Sequence, residues 1–173
     1  LNDIALDEKR GYAYFTSTWG EGRLVVYDSS TKTSWFVTGP STARGPDNFC
    51  VSGYCYGSDS IGGPVDGIAL SGDGSQLYYS TVSGSKVWAV PTDVLRGGQA
   101  SAAKNFNDAT VYLGDKGGGS DGLIVINGNL VFGNLQESGL AMIPQVQSTT
   151  NASNAVSWYP DPRMFRWVDT FAP

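Results

Sequence analysis

One short pattern occurs four times in this chain, and it limits the fold more than any other feature. The copies read Asn2-Asp3-Ile4-Ala5, Asp66-Gly67-Ile68-Ala69, Asp121-Gly122-Leu123-Ile124 and Asp169-Thr170-Phe171-Ala172. Each is a carboxylate or carboxamide, a spacer, and the first apolar residues of a strand. A spacing of roughly 40 to 60 residues is the signature of a repeat architecture.

The residues behind each copy repeat as well. The first is followed by Ala13-Tyr14-Phe15-Thr16-Ser17, a turn through Gly22, and Arg23-Leu24-Val25-Val26-Tyr27. The second is followed by Leu77-Tyr78-Tyr79-Ser80-Thr81, a turn at Gly84, and Lys86-Val87-Trp88-Ala89-Val90. The third leads to Leu130-Val131-Phe132-Gly133-Asn134, a turn ending at Gly139, and Leu140-Ala141-Met142-Ile143. Short β-branched and aromatic runs between turn residues predict antiparallel strands, and no segment sustains the 3.6-residue apolar period of a helix. Asp73-Gly74 and Gly128 stand where a first strand must turn into a second. Each unit is a meander of three or four strands, and such units in tandem predict an all-β fold, a β-propeller of four-stranded antiparallel blades.

The blades open near Asn2, Asp66 and Asp121, and a further one starts near Asp169. The 173 residues accommodate about three blades of a ring of, by this reading, six, in one domain. Three blades do not close, so the expectation is part of a longer protein. The pairs Tyr14/Phe15, Tyr78/Tyr79 and Val131/Phe132 are expected between blades. Trp35 and Trp88 lie within strand patterns and read as core, not as a sugar platform.

Composition excludes several functions. A net charge of −5 with scattered lysines and arginines disfavours nucleic acid and anionic membrane surfaces as partners. No apolar run is long enough to span a bilayer as a helix. The chain has no histidine, so any general base in it is a carboxylate, lysine, tyrosine or metal-bound water. Gly114-Asp115-Lys116-Gly117-Gly118-Gly119-Ser120 looks superficially like a phosphate loop. It lacks the Gly-Lys-Ser/Thr ending and precedes a strand, which makes it an inter-blade loop.

Cys50 and Cys55 are the only cysteines, in a Gly/Pro/Ser-rich stretch from Gly39 to Pro64 without a strand pattern. A local disulfide is expected, and with it an oxidising, extracellular compartment. Asn151-Ala152-Ser153 is an N-glycosylation sequon, which makes Asn151 the candidate acceptor. Two cysteines without histidine do not make a zinc site.

If each pattern opens an innermost strand, Asn2, Asp66, Asp121 and Asp169 stand at one end of the channel. The returning strand brings Ser17, Thr81 and Asn134 to the same end. The connections 39–64 and 114–120 then roof it, which forms a binding mouth for a small molecule. The alternative is that Asp or Asn before a strand only caps a turn.

A family resemblance rests on particular segments. Leu1 to Glu8, Gly22 to Asp28 and Thr33 to Val37 resemble the first block of the insect Yellow and major royal jelly protein family. Gly67 to Ser71, Leu77 to Tyr79 and Ala89 to Arg96 resemble its second, in which an alternating strand ends in a Ser/Thr-x-Val-Leu-Arg turn. Val111 to Gly117, Leu130 to Gly133 and Arg166 to Thr170 resemble the third. The resemblance implies a secreted six-bladed propeller of roughly twice this length. It also implies one of several roles: dopachrome conversion, nutrition, or amine binding at one channel end through asparagine, threonine and aromatic residues, to which Asn134 corresponds. The cysteine pair matches no family pattern.

Asp66-Gly67-Ile68 and Asp121-Gly122-Leu123 also resemble the openings of gluconolactonase-like propellers. That resemblance implies a divalent cation such as Ca2+ held by Asp66, Asp121 and Asp169, and a lactonase or related hydrolase activity. An amine ligand instead needs a carboxylate, Asp66 or Asp121, and an aromatic wall from Phe132, Tyr54 or Tyr56. A structural or nutritive secreted protein needs no site.

Overall fold

The computed structural model describes residues 1–45, 49–56, 63–147 and 156–171, without the side chains of residues 157 and 158. Asn151 lies outside the described residues. Three four-stranded antiparallel sheets follow one another along the chain. The first contains β1 (Ile4–Asp7), β2 (Tyr12–Ser17), β3 (Arg23–Asp28) and β4 (Thr33–Val37), in that spatial order. A small hairpin follows, β5 (Phe49–Val51) and β6 (Tyr54–Tyr56). The second sheet holds β7 (Val65–Leu70), β8 (Gln76–Thr81) and β9 (Lys86–Pro91), then the helices α1 (Thr92–Arg96) and α2 (Gly98–Ala109), and β10 (Val111–Asp115) at its outer edge. The third holds β11 (Leu123–Ile126), β12 (Asn129–Asn134), β13 (Gly139–Ile143) and β14 (Val156–Pro160).

The sheets pack face to face, and the first strands β1, β7 and β11 lie side by side along the inside, which is the blade arrangement of a propeller. Strand alternation explains the packing. Tyr79 joins Tyr14, Leu24, Val26 and Leu77 between the first and second sheets, whereas its neighbour Tyr78 joins Leu123, Leu130 and Phe132 between the second and third. Successive side chains point to opposite faces, so one aromatic pair serves two cores. Trp35 and Trp88 pack half-buried against the first core, and the Trp35 indole donates to the Leu95 carbonyl at 2.8 Å.

The turns between first and second strands use left-handed residues, Gly74 (φ 71°) in the second sheet and Asn127-Gly128 (φ 50° and 78°) in the third. Two consecutive residues with positive φ suit a tight hairpin whose twist matches its strands.

Two expectations are corrected. Residues 92–109 are helical, although their sequence shows no sustained helical period. Only Ala102 and Phe106, one turn apart, are buried on α2, so its apolar stripe is too narrow to stand out. Those two side chains dock in the first core, where the Phe106 and Tyr79 rings stack at 6.3 Å. The Gln99 side chain also pairs with both backbone groups of Phe36, covering the exposed edge of β4. The stretch from Gly39 to Pro64 likewise carries a hairpin, with Ser52-Gly53 in the left-handed region (φ 53° and 75°). Its three-residue strands are too short to show a period. Cys50 faces Cys55 across it, and the two form a disulfide. Among the described residues no helix is long and apolar enough to cross a membrane.

Candidate functional site

The four repeated patterns nest on one another at the end of the inner strands where β1, β7 and β11 begin. The Asn2 amide donates to Asp66 Oδ1. Asp3 occupies the position that is glycine in the next two copies, and its Oδ2 accepts the Ile68 N–H at 3.1 Å. A Cβ on Gly67 would collide with the Asp121 carbonyl oxygen, and one on Gly122 would stand 2.6 Å from that of Asp169. Glycine therefore stands where the opening of the next blade must come close. The Gly122 N–H donates to Val168 O at 3.3 Å, which continues the series to residue 169.

This nesting gathers Asn2, Asp3, Asp66, Asp121 and Asp169. Asn2, Asp3, Ile4, Asp66, Asp169 and Thr170 line a cavity of about 180 Å³. Asp66 and Asp121 are each 5% exposed. Burial, then the charge of Asp121 and a side-chain hydrogen bond with it, pushes the Asp66 carboxyl up to about 8, against the donation from Asn2. Burial also pushes Asp121 up to about 6; the Trp167 N–H opposes this and Asp169 reinforces it. Asp3 is raised by burial, with the Ile68 and Ile4 N–H groups opposing. The ion pairs among the described residues lie elsewhere, Asp7 with Arg10 and Arg96, and Asp161 with Arg163. Trp167 Nε1 donates to Asp121 Oδ2 at 2.6 Å, and the Asp121 carboxyl shares side-chain hydrogen bonds with Asp66 and Asp169.

The other sequence candidates are placed differently. Asn134 is buried at the end of β12, where its Oδ1 accepts the Glu137 N–H at 3.2 Å and so serves the following turn. Thr81 lines a separate cavity of about 70 Å³ with Pro40, Arg44, Lys86 and Trp88. Ser17 pairs with Arg23 on β3, and it is the preceding Thr16 that receives the Asp3 N–H, at 2.9 Å. Phe132 is fully buried between the second and third sheets. Among the described residues no group of three or more acids is disposed to hold one metal ion.

Asp3, Trp167 and Phe49 join this arrangement and were not singled out from the sequence. Asp3 shows as the one acid at the spacer position of the repeat. Trp167 stands two residues ahead of the fourth copy, a placement with no meaning until the copies are known to nest. The hairpin β5–β6 reaches across from the first blade's connection. Its Ser52 and Gly53 N–H groups donate to Leu135 O and Gln136 O, and the Phe49 ring lies 5.5 Å from that of Trp167. A larger concavity, about 690 Å³, lies at the other end of the inner strands, between Leu6, Arg10, Leu70 and Phe171.

Comparison with known proteins agrees with this architecture. The sequence model described as "Major royal jelly protein" matches residues 1–171. No curated protein matches. Among solved structures, a chain of the "Crystal structure of Nidogen/Laminin Complex" superposes with a TM-score of 0.54 at 12% identity, over 86% of this chain. This chain spans 45% of that one, a likeness of β-propeller fold alone.

Proposed function

We propose that this chain, which belongs to the major royal jelly protein family, binds a small aromatic amine at the channel end where the inner strands begin. The observation that carries this reading is the convergence of four acids, Asp3, Asp66, Asp121 and Asp169: burial and then neighbouring carboxylates raise the affinity of the first three for protons, and none of the four has an ion-pair partner among the described residues. Acids gathered in a buried place disfavour one another's charged forms, and an ammonium placed among them relieves that repulsion. The ammonium lies among Asp3, Asp66, Asp121 and Asp169, and the ligand ring lies against Trp167, where an indole face also attracts the cation. Phe49 and Tyr56, with ring centroids 6.3 Å apart, extend that wall. The disulfide supports secretion into an oxidising compartment, as does the family resemblance.

Calorimetry of the full-length protein with serotonin or dopamine, and separately with Ca2+, tests the reading. Amine binding that Asp121→Ala weakens at least tenfold is expected. Binding of Ca2+ in place of the amine would transfer the acids to the gluconolactonase-like reading. Absence of both, or binding indifferent to the substitution, returns the acids to turn capping and leaves a structural or nutritive protein.

A further inference from the structure

Trp167 is about half exposed, and an indole so placed does not hold one orientation unaided. Two contacts orient it: the Nε1 donation to Asp121 Oδ2, and the ring of Phe49 at an angle of 59°. Phe49 itself is 1% exposed and comes from a distant part of the chain. It packs with Val82, after the second strand of the second sheet, and with Leu135, at the corresponding place in the third. The hairpin that carries it is anchored on the third sheet by the Ser52 and Gly53 N–H groups, at 2.9 and 3.1 Å, and by the Ser52 and Ser138 hydroxyls at 2.6 Å. The Cys50–Cys55 bridge closes the short hairpin immediately beside Phe49. A three-residue strand pair has little stability of its own, so the bridge and these anchors define where the Phe49 ring stands.

We propose that Phe49 is a positioning residue: held by the stapled hairpin, its ring fixes the Trp167 indole over Asp121 and so builds the aromatic wall of the amine site. This rests on the amine reading for its consequence on binding, though not for the contact itself. Loss of the Phe49 ring frees the indole to rotate, which weakens both the Asp121 hydrogen bond and the stacking surface. A pre-organised wall binds more tightly because less freedom is lost on association. An aromatic pair of this kind is expected to change affinity roughly two- to tenfold.

The test uses the full-length protein and Phe49→Leu, which keeps an apolar side chain but removes the ring. Acrylamide quenching of Trp167 fluorescence, obtained as the difference between proteins with and without Trp167→Phe, reads the indole directly. Calorimetry with dopamine reads the site. Greater quenching of Trp167 and a dopamine Kd raised roughly two- to tenfold are expected, and reduction of the disulfide in the unsubstituted protein should change both in the same direction. Unchanged quenching in Phe49→Leu and after reduction overturns the positioning role even where dopamine binds. Where the unsubstituted protein binds no dopamine, the amine reading falls and quenching alone decides whether Phe49 orients Trp167. If Phe49→Leu does not fold, the reduced protein carries the same comparison.

Discussion

Asp121→Asn should make the protein more stable at neutral and alkaline pH while weakening its site. In the folded protein Asp121 keeps its proton up to about pH 6, against 3.8 for the unperturbed group. Below 3.8 both states are protonated and burial of the group costs nothing through ionisation. Between 3.8 and 6 the folded state binds more protons than the unfolded one, so stability falls as pH rises, and above that window the loss is complete. Asp66 acts in the same direction with a window that extends to about 8. At about 1.4 kcal/mol per pH unit, the displacement of Asp121 corresponds to roughly 3 kcal/mol, which solvent screening at the channel mouth reduces to roughly 1–2 kcal/mol. Asparagine has the same shape, its amide oxygen accepts the Trp167 N–H, and its NH2 group faces carboxylates without adding charge. The variant should therefore gain about 1–2 kcal/mol at pH 8, roughly 3–6 °C in Tm, and lie within a few tenths of a kcal/mol of the unsubstituted protein at pH 4. Thermal unfolding followed by circular dichroism at pH 4, 6 and 8 measures this. A gain independent of pH, or no gain at pH 8, would refute the idea that Asp121 is held against its neighbours at a cost.

Gly67→Ala should cost about 1–3 kcal/mol through overpacking, because the new methyl group meets the Asp121 carbonyl and stands 2.8 Å from Leu123 Cγ; a neutral result in urea denaturation would mean that the inner strands are not in close contact. Phe106→Ala removes the fully buried anchor of α2 and should cost about 3–5 kcal/mol; an equal urea midpoint would show that the helix packs without it. Loss of the Cys50–Cys55 bridge should cost about 2 kcal/mol for so short a loop. Intact mass with and without reductant checks that the bridge is present, and an unchanged Tm on reduction would show that the hairpin holds by its anchors alone.

The amino-acid sequence by itself specified the strands, the blades and the repeated acids that open them, because these depend on short-range patterns. Alternation over four to six residues, turn residues at fixed places and a recurring Asp-Gly-apolar opening survive in any surrounding. The disulfide was legible for the same reason, as two cysteines a few residues apart leave little choice of partner. Helix α2 was not, since two apolar side chains acquire meaning only against the Tyr79 core that receives them. The site divided along the same line. The acids Asp66 and Asp121 were visible as repeats, whereas their sharing of one buried environment arises from inner strands that approach closely enough to require glycine. Trp167 and Phe49 stand 118 residues apart in the numbering, and no local pattern relates them. Their contact comes from a hairpin that crosses from one blade to the rim of another, so the sequence could supply the repeated acids while only the tertiary fold decided which aromatic rings stand beside them.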